Sequence, residues 1–136
     1  AQLLEMSGRY DPPTQESDQR ELPVYLEPAA AGHGNRLEGD YFEMVKVDPI
    51  VPKSADFGIR VSGDSMEPLF VDKQVVWVHR QETIEHGEIA IVWYDDESFI
   101  KRVEFRGRDV YLVSLNEKYP PKKLQSRPEI RGKVVG

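Results

Sequence analysis

Glu88-Ile89-Ala90-Ile91-Val92-Trp93-Tyr94, followed by Asp95-Asp96-Glu97-Ser98 and then Phe99-Ile100-Lys101-Arg102-Val103-Glu104-Phe105, reads as a strand, a turn and a returning strand. The first run is almost wholly apolar and rich in residues that suit a pleated surface. The polar reversal at 95–98 has hairpin chemistry, and the second run alternates. Outward from this hairpin the pattern repeats. Arg106-Gly107-Arg108-Asp109 turns the chain again, and Val110 to Ser114 makes a further strand. Upstream, Gln74 to His79, Phe57 to Val61, Tyr41 to Val47 and Leu22 to Leu26 are strand-like, with Pro23 confining the earliest to an edge or a strand start. Downstream, a Pro/Lys-rich excursion over 116–128 leads into a last strand, Glu129 to Val135. Many short strands separated by turn signals predict a mostly-β, barrel-like domain.

The composition bounds what such a domain does. At 136 residues, 39% of them hydrophobic, the chain suffices for one core and a tail. No run of about 18 apolar residues crosses a membrane, and no charged-then-apolar leader marks secretion, so the expected compartment is the cytoplasm. The absence of cysteine excludes disulfides, thiol catalysis and thiolate metal sites. His33, His79 and His86 fall at no metal-binding spacing, so neither metal nor cofactor is expected. A net charge of −6 makes the chain as a whole a poor DNA binder. The cations Lys118, Lys122, Lys123, Arg127, Arg131 and Lys133 cluster near the end, against Glu129 alone, and read as a solvated face. Residues 8–21, with Pro12-Pro13 and many charges, have linker composition.

Two residues carry candidate chemistry. Val61-Ser62-Gly63-Asp64-Ser65-Met66-Glu67-Pro68 holds a serine between a glycine that permits a tight turn and a proline that ends regular structure. A serine with its backbone held in this way is a candidate nucleophile if a base can take its proton. In the strand over 99–105, Phe99, Lys101, Val103 and Phe105 share one face by the two-residue period. Lys101 is the charged residue on an otherwise apolar face. A free lysine is neutral in roughly one molecule in 2,500 at pH 7. Desolvation disfavours the ammonium and supplies the neutral amine that a Ser–Lys dyad requires. Taken singly, a turn serine and a snorkelling lysine are also ordinary structure.

Val61-Ser62-Gly63-Asp64-Ser65-Met66-Glu67-Pro68 resembles the Gly-x-Ser-Met-x-Pro motif of the LexA-type self-cleaving peptidases, which include LexA, phage CI-like repressors and UmuD. Ile100-Lys101-Arg102, with its lysine 36 positions after Ser65, is similar to their lysine strand. Leu112 to Asn116, Tyr119-Pro120-Pro121 and Ile130 to Gly136 resemble the closing stretch of phage-repressor C-terminal domains. Ala31-Gly32 stands where the family cuts itself. The resemblance covers 22–136, and relatives usually run a few residues further. Where the family usually has Asp-Gly-Asp after the serine motif, this chain has Asp72-Lys73-Gln74, which leaves that turn's conformation open.

The resemblance implies a LexA/signal-peptidase-like barrel of short, largely antiparallel strands with a cleavable loop. It implies Ser65 as nucleophile, Lys101 as general base, the backbone N–H groups of Asp64 and Ser65 as oxyanion hole, and Ala31-Gly32 as the cleavage site. Residues 1–21 would then be a linker and the stub of a missing N-terminal DNA-binding domain, and 22–136 the self-cleaving dimerisation domain of a repressor inactivated on DNA damage. The implied partners are a second copy in a homodimer, an activated RecA filament and operator DNA bound through the missing domain. Two alternatives stand beside this: a UmuD-like polymerase accessory protein, and a non-cleaving oligomerisation module relieved by an antirepressor.

Overall fold

The computed structural model describes residues 20–26 and 42–136. The tail over 1–19 and the stretch holding Ala31 and Gly32 lie outside these. Nine strands form: β1 (Glu21–Tyr25), β2 (Phe42–Lys46), β3 (Phe57–Arg60), β4 (Val75–His79), β5 (Ile89–Tyr94), β6 (Glu97–Arg106), β7 (Asp109–Val113), β8 (Lys122–Lys123) and β9 (Glu129–Val134). They make one sheet in the order β2-β1-β3-β4-β9-β5-β6-β7-β8, with no helix among the described residues. The mostly-β expectation therefore holds. All ladders are antiparallel except β1 on β3, which is parallel.

The turns explain the register. Asp95 and Asp96, at φ 53° and 62°, make a two-residue loop between β5 and β6. Two positive φ values are the type I′ geometry that matches strand twist. Gly107 at φ 64° opens the next two-residue loop, which sets Arg106 opposite Asp109 and, four pairs on, Arg102 opposite Val113. Pro23 departs from its expected place, because β1 lies inside β2 and is not an edge. It is tolerated because β3 meets β1 only at Val24 and Tyr25, so no second ladder needs the N–H that proline lacks. The short β8, in the Pro/Lys-rich excursion, was not legible as a strand.

The last strand is the joint of the sheet. β9 pairs with β4 through Val78↔Val134 and His79↔Lys133, and Trp77 exchanges backbone bonds with Val135 and Gly136 at 2.8 and 2.9 Å. On its other side β9 pairs with β5, with a register shift between Ile91 and Val92. The main core gathers Tyr25, Phe57, Ile59, Met66, Phe70, Val76, Val78, Ile91 and Ile100 from both sides of that joint. A second core, around Ala90, Val92, Val103, Leu112 and Leu124, belongs to the β5–β8 half.

Gly132 is where β9 is most tightly held. A Cβ there would lie 2.5 Å from Val78 Cγ1 and 3.0 Å from the His79 carbonyl oxygen. Gly132→Ala is therefore expected to destabilise the fold by about 1–3 kcal/mol, the usual cost of overpacking. Urea unfolding followed by Trp fluorescence measures this, with an unchanged slope if only the joint is strained.

Candidate active site

Ser65 sits in the turn that follows β3. Gly63 takes φ 88°, with open space where a Cβ would be, so the glycine serves backbone conformation there. Its N–H donates to Asp72 Oδ1 at 2.8 Å. Met66, 1% exposed, drives the turn into the main core, and Phe70 N–H closes onto the Met66 carbonyl at 2.9 Å. The Glu67–Pro68 peptide is cis. The turn left open at Asp72-Lys73-Gln74 keeps a left-handed residue without a glycine. Lys73 stands at φ 74°, with its N–H on Val61 O at 2.7 Å and its own carbonyl accepting from Arg60 Nη1 at 2.9 Å.

A segment that carries part of the family resemblance, but to which the sequence assigns no role in the site, holds this turn. The residues after β7, 114–119, run along it as a strap. The Asn116 backbone N–H donates to the Ser65 carbonyl at 2.9 Å, and Asn116 Nδ2 donates to the Asp64 carbonyl at 3.0 Å. The Asp64 carboxylate accepts from Tyr119 Oη at 2.5 Å and pairs with Lys118 Nζ at 2.8 Å. The hydrogen bonds from Lys118 and Tyr119 hold the Asp64 carboxyl below the usual carboxylate range. The N–H groups of Asp64 and Ser65 donate to no other described residue. In a planar trans peptide C=O and N–H point oppositely. With the Asp64 carbonyl on the strap, the Ser65 N–H faces away from it.

Lys101 stands on β6, between Ala90 of β5 and the end of β7. It is half-buried, and burial alone pushes its amine below the ordinary lysine value. No carboxylate among the described residues pairs with it. Arg102 is paired with Glu104, Glu88 with Lys133 and Asp64 with Lys118. Its amine donates to Ser114 Oγ at 2.8 Å. Ser65 Oγ has no hydrogen-bond partner among the described residues. The structure thus attaches the lysine and the serine turn to one strap, at Ser114 and at Asn116, and not directly to each other. The apolar face expected around Lys101 is real at Phe99 and Val103, which join the second core, but Phe105 is 39% exposed.

A family profile described as Peptidase S24-like matches residues 23–135. The chain belongs to the peptidase S24-like family. Among individual proteins, this S24-like chain is similar to the LexA repressor of Pectobacterium carotovorum subsp. carotovorum, at 38% identity over 96 residues, 67% of this chain and 48% of that protein. It is also similar to the LexA repressor of Shewanella loihica, at 35% over 111 residues, 79% of this chain and 54% of that protein. The LexA repressor of Shewanella sp. (strain MR-7) matches at 34% over 116 residues, 82% and 56% respectively. The chain spans about half the length of the curated relatives it matches. No described helix is long and apolar enough to cross a membrane.

The cations near the end of this S24-like chain are largely engaged. Lys118, Lys123, Arg131 and Lys133 each meet a carboxylate, and Lys122 lies over the rings of Tyr94 and Phe99. This fits the reading of a solvated face.

The lowered amine of Lys101 has a consequence for stability. The unfolded chain holds its proton up to about pH 10.4, while the folded chain releases it at lower pH. The unfolded state binds more protons between those values, so this lysine's contribution to stability rises with pH across that window. Lys101→Met is expected to raise the melting temperature at pH 7, with the gain shrinking as the pH approaches 10.4. Calorimetric scans of both proteins across that range measure it.

Proposed function

We propose that this chain is the self-cleaving and dimerising domain of a LexA-like repressor. Ser65 is the nucleophile and Lys101, in its neutral form, the general base. Ser65 Oγ attacks the Ala31 carbonyl as Lys101 takes its proton. The N–H groups of Asp64 and Ser65 stabilise the oxyanion, and Lys101 returns a proton to the leaving Gly32 amine. Water, with Lys101 again as base, then hydrolyses the Ala31–Ser65 ester and frees residues 1–31. The observation that carries this reading is a half-buried lysine amine with no counter-ion among the described residues, tied through one strap to the serine turn. A surface lysine paired with a carboxylate would stay charged and be useless as a base.

The topology supports an intramolecular substrate. β1 and β2 form an antiparallel hairpin with Tyr25 opposite Phe42, and the chain between them carries Ala31-Gly32. The Tyr25 ring packs edge-on against Phe57 at 5.5 Å, in the same core as Met66 and Ile100, the neighbours of Ser65 and Lys101. Six extended residues from Tyr25 to Ala31 reach about 20 Å, so the bond is tethered near the site and needs no encounter in solution. The small side chains of Ala30, Ala31 and Gly32 let such a loop enter a pocket on its own domain.

In this reading the cut separates DNA-binding heads, carried N-terminal to residue 1, from the dimerising domain. Operator affinity then falls through lost avidity. An activated RecA filament produced by DNA damage promotes the docked loop, in the cytoplasm.

Incubation from pH 7 to 10 followed by mass spectrometry tests the chemistry. The cleavage rate is expected to rise with pH as Lys101 loses its proton, to level off below the pH at which a free lysine would, and to give fragments 1–31 and 32–136. Ser65→Ala and Lys101→Ala are expected to remove the products. Cutting that persists in Lys101→Ala, or intact protein throughout, overturns the dyad.

A further inference from the structure

We propose that Ser114 and Asn116 are the positioning residues of the site, Ser114 for the lysine amine and Asn116 for the backbone around the nucleophile. The proposal rests on the Ser–Lys reading above and deepens it.

A neutral amine has two N–H donors and one lone pair. To act as a base its lone pair must point at the serine proton, so its donors must be held elsewhere. Ser114 Oγ accepts one of them at 2.8 Å. The side chain doing this matters. A carboxylate at that position would hold the amine equally well but would favour the ammonium. A hydroxyl orients the nitrogen without supplying a counter-charge. Ser114 follows directly on β7, and extending the ladder by one pair beyond Arg102↔Val113 sets it opposite Lys101.

Asn116 acts on the other half. Its two donors hold successive carbonyls, those of Asp64 and Ser65. Each carbonyl fixes the plane of its own peptide, and so the direction of the N–H that follows it. Asn116 thereby sets the aim of the Ser65 N–H without touching a substrate. Only Leu115 separates the two residues, and it packs against the main core. Amine and nucleophile are therefore referenced to one short rigid length of backbone, where a 1 Å error is costly to a reaction.

The test uses the whole chain and the pH-dependent cleavage assay, with a second readout that needs no cleavage. Ser114→Ala is expected to lower the high-pH plateau rate about tenfold, the scale of one hydrogen bond, while its pH midpoint stays or moves down. Ser114→Asp is expected to move the midpoint up by more than one unit, and Ser114→Thr to restore the plateau. Asn116→Ala is expected to lower the plateau with the midpoint unmoved. In a Ser65→Ala background, NMR titration of the Lys101 side chain is expected to show the same order, with Ser114→Asp titrating highest. This titration also serves for any variant too unstable for the rate assay. Ser114→Ala and Asn116→Ala profiles superimposed on the parent's, or a Lys101 titration indifferent to Ser114→Asp, overturn the proposal. A parent chain that never cuts overturns the dyad reading instead, and the NMR titration still decides whether Ser114 controls the amine.

Discussion

The ladder contacts of β9 are the constraint on which the rest depends. This strand is late in the chain yet central in the sheet, with β4 on one side and β5 on the other. The serine turn belongs to the half built from β1 to β4, and Lys101 to the half built from β5 to β8. Their relative placement follows from how β9 joins those halves, from the shared core to which Ile91 and Ile100 contribute, and from the strap. A site assembled across such a joint is only as precise as the joint. That gives a reason for Gly132, whose missing side chain lets β9 lie close against β4.

The strap resolves a conflict. A base must sit in apolar surroundings to be neutral, yet a buried polar group without a partner is costly. Ser114 satisfies the amine with a neutral acceptor, and no carboxylate among the described residues pairs with it. Asp64, on the serine turn, would be a harmful charge if it faced the lysine. Lys118 and Tyr119 engage it instead, so the carboxylate next to Ser65 does not become the lysine's counter-ion.

Much of this was legible in the sequence, and the failures have physical causes. The strands over 57–61, 74–79, 88–94, 99–105 and 129–135 declare themselves because alternation and turn residues are local signals. The sheet order is not local, and nothing between 129 and 135 says that this run inserts between β4 and β5. Lys101 was found because a charge out of phase on an apolar face is a local anomaly. Its partner was also within reach. The turn at Gly107-Arg108 fixes the β6–β7 register, and counting pairs back from it sets Ser114 opposite Lys101. Asn116 gives no such signal, since its contacts run to residues some fifty positions earlier. Lys73 shows the limit of reading glycine as necessity. With its N–H and C=O both engaged, the surrounding bonds hold a left-handed residue that has a side chain.

The division of labour bears on how a once-only reaction is restrained. In the proposed self-cleavage, the bonds from Asn116, Lys118 and Tyr119 to the serine turn, and from Ser114 to the lysine, are already in place in the described structure. If positioning is settled in advance, little reorganisation is left for the chemical step. The rate then scales with the fraction of molecules whose loop is docked. A partner that controls cleavage needs only to shift that fraction and has no part of the site to build, so a ligand with different affinity for the two loop states suffices. Among the described residues the lysine bonds a neutral hydroxyl, that of Ser114. On the proposed reading, a site kept assembled in this way is silent whenever its substrate loop is undocked.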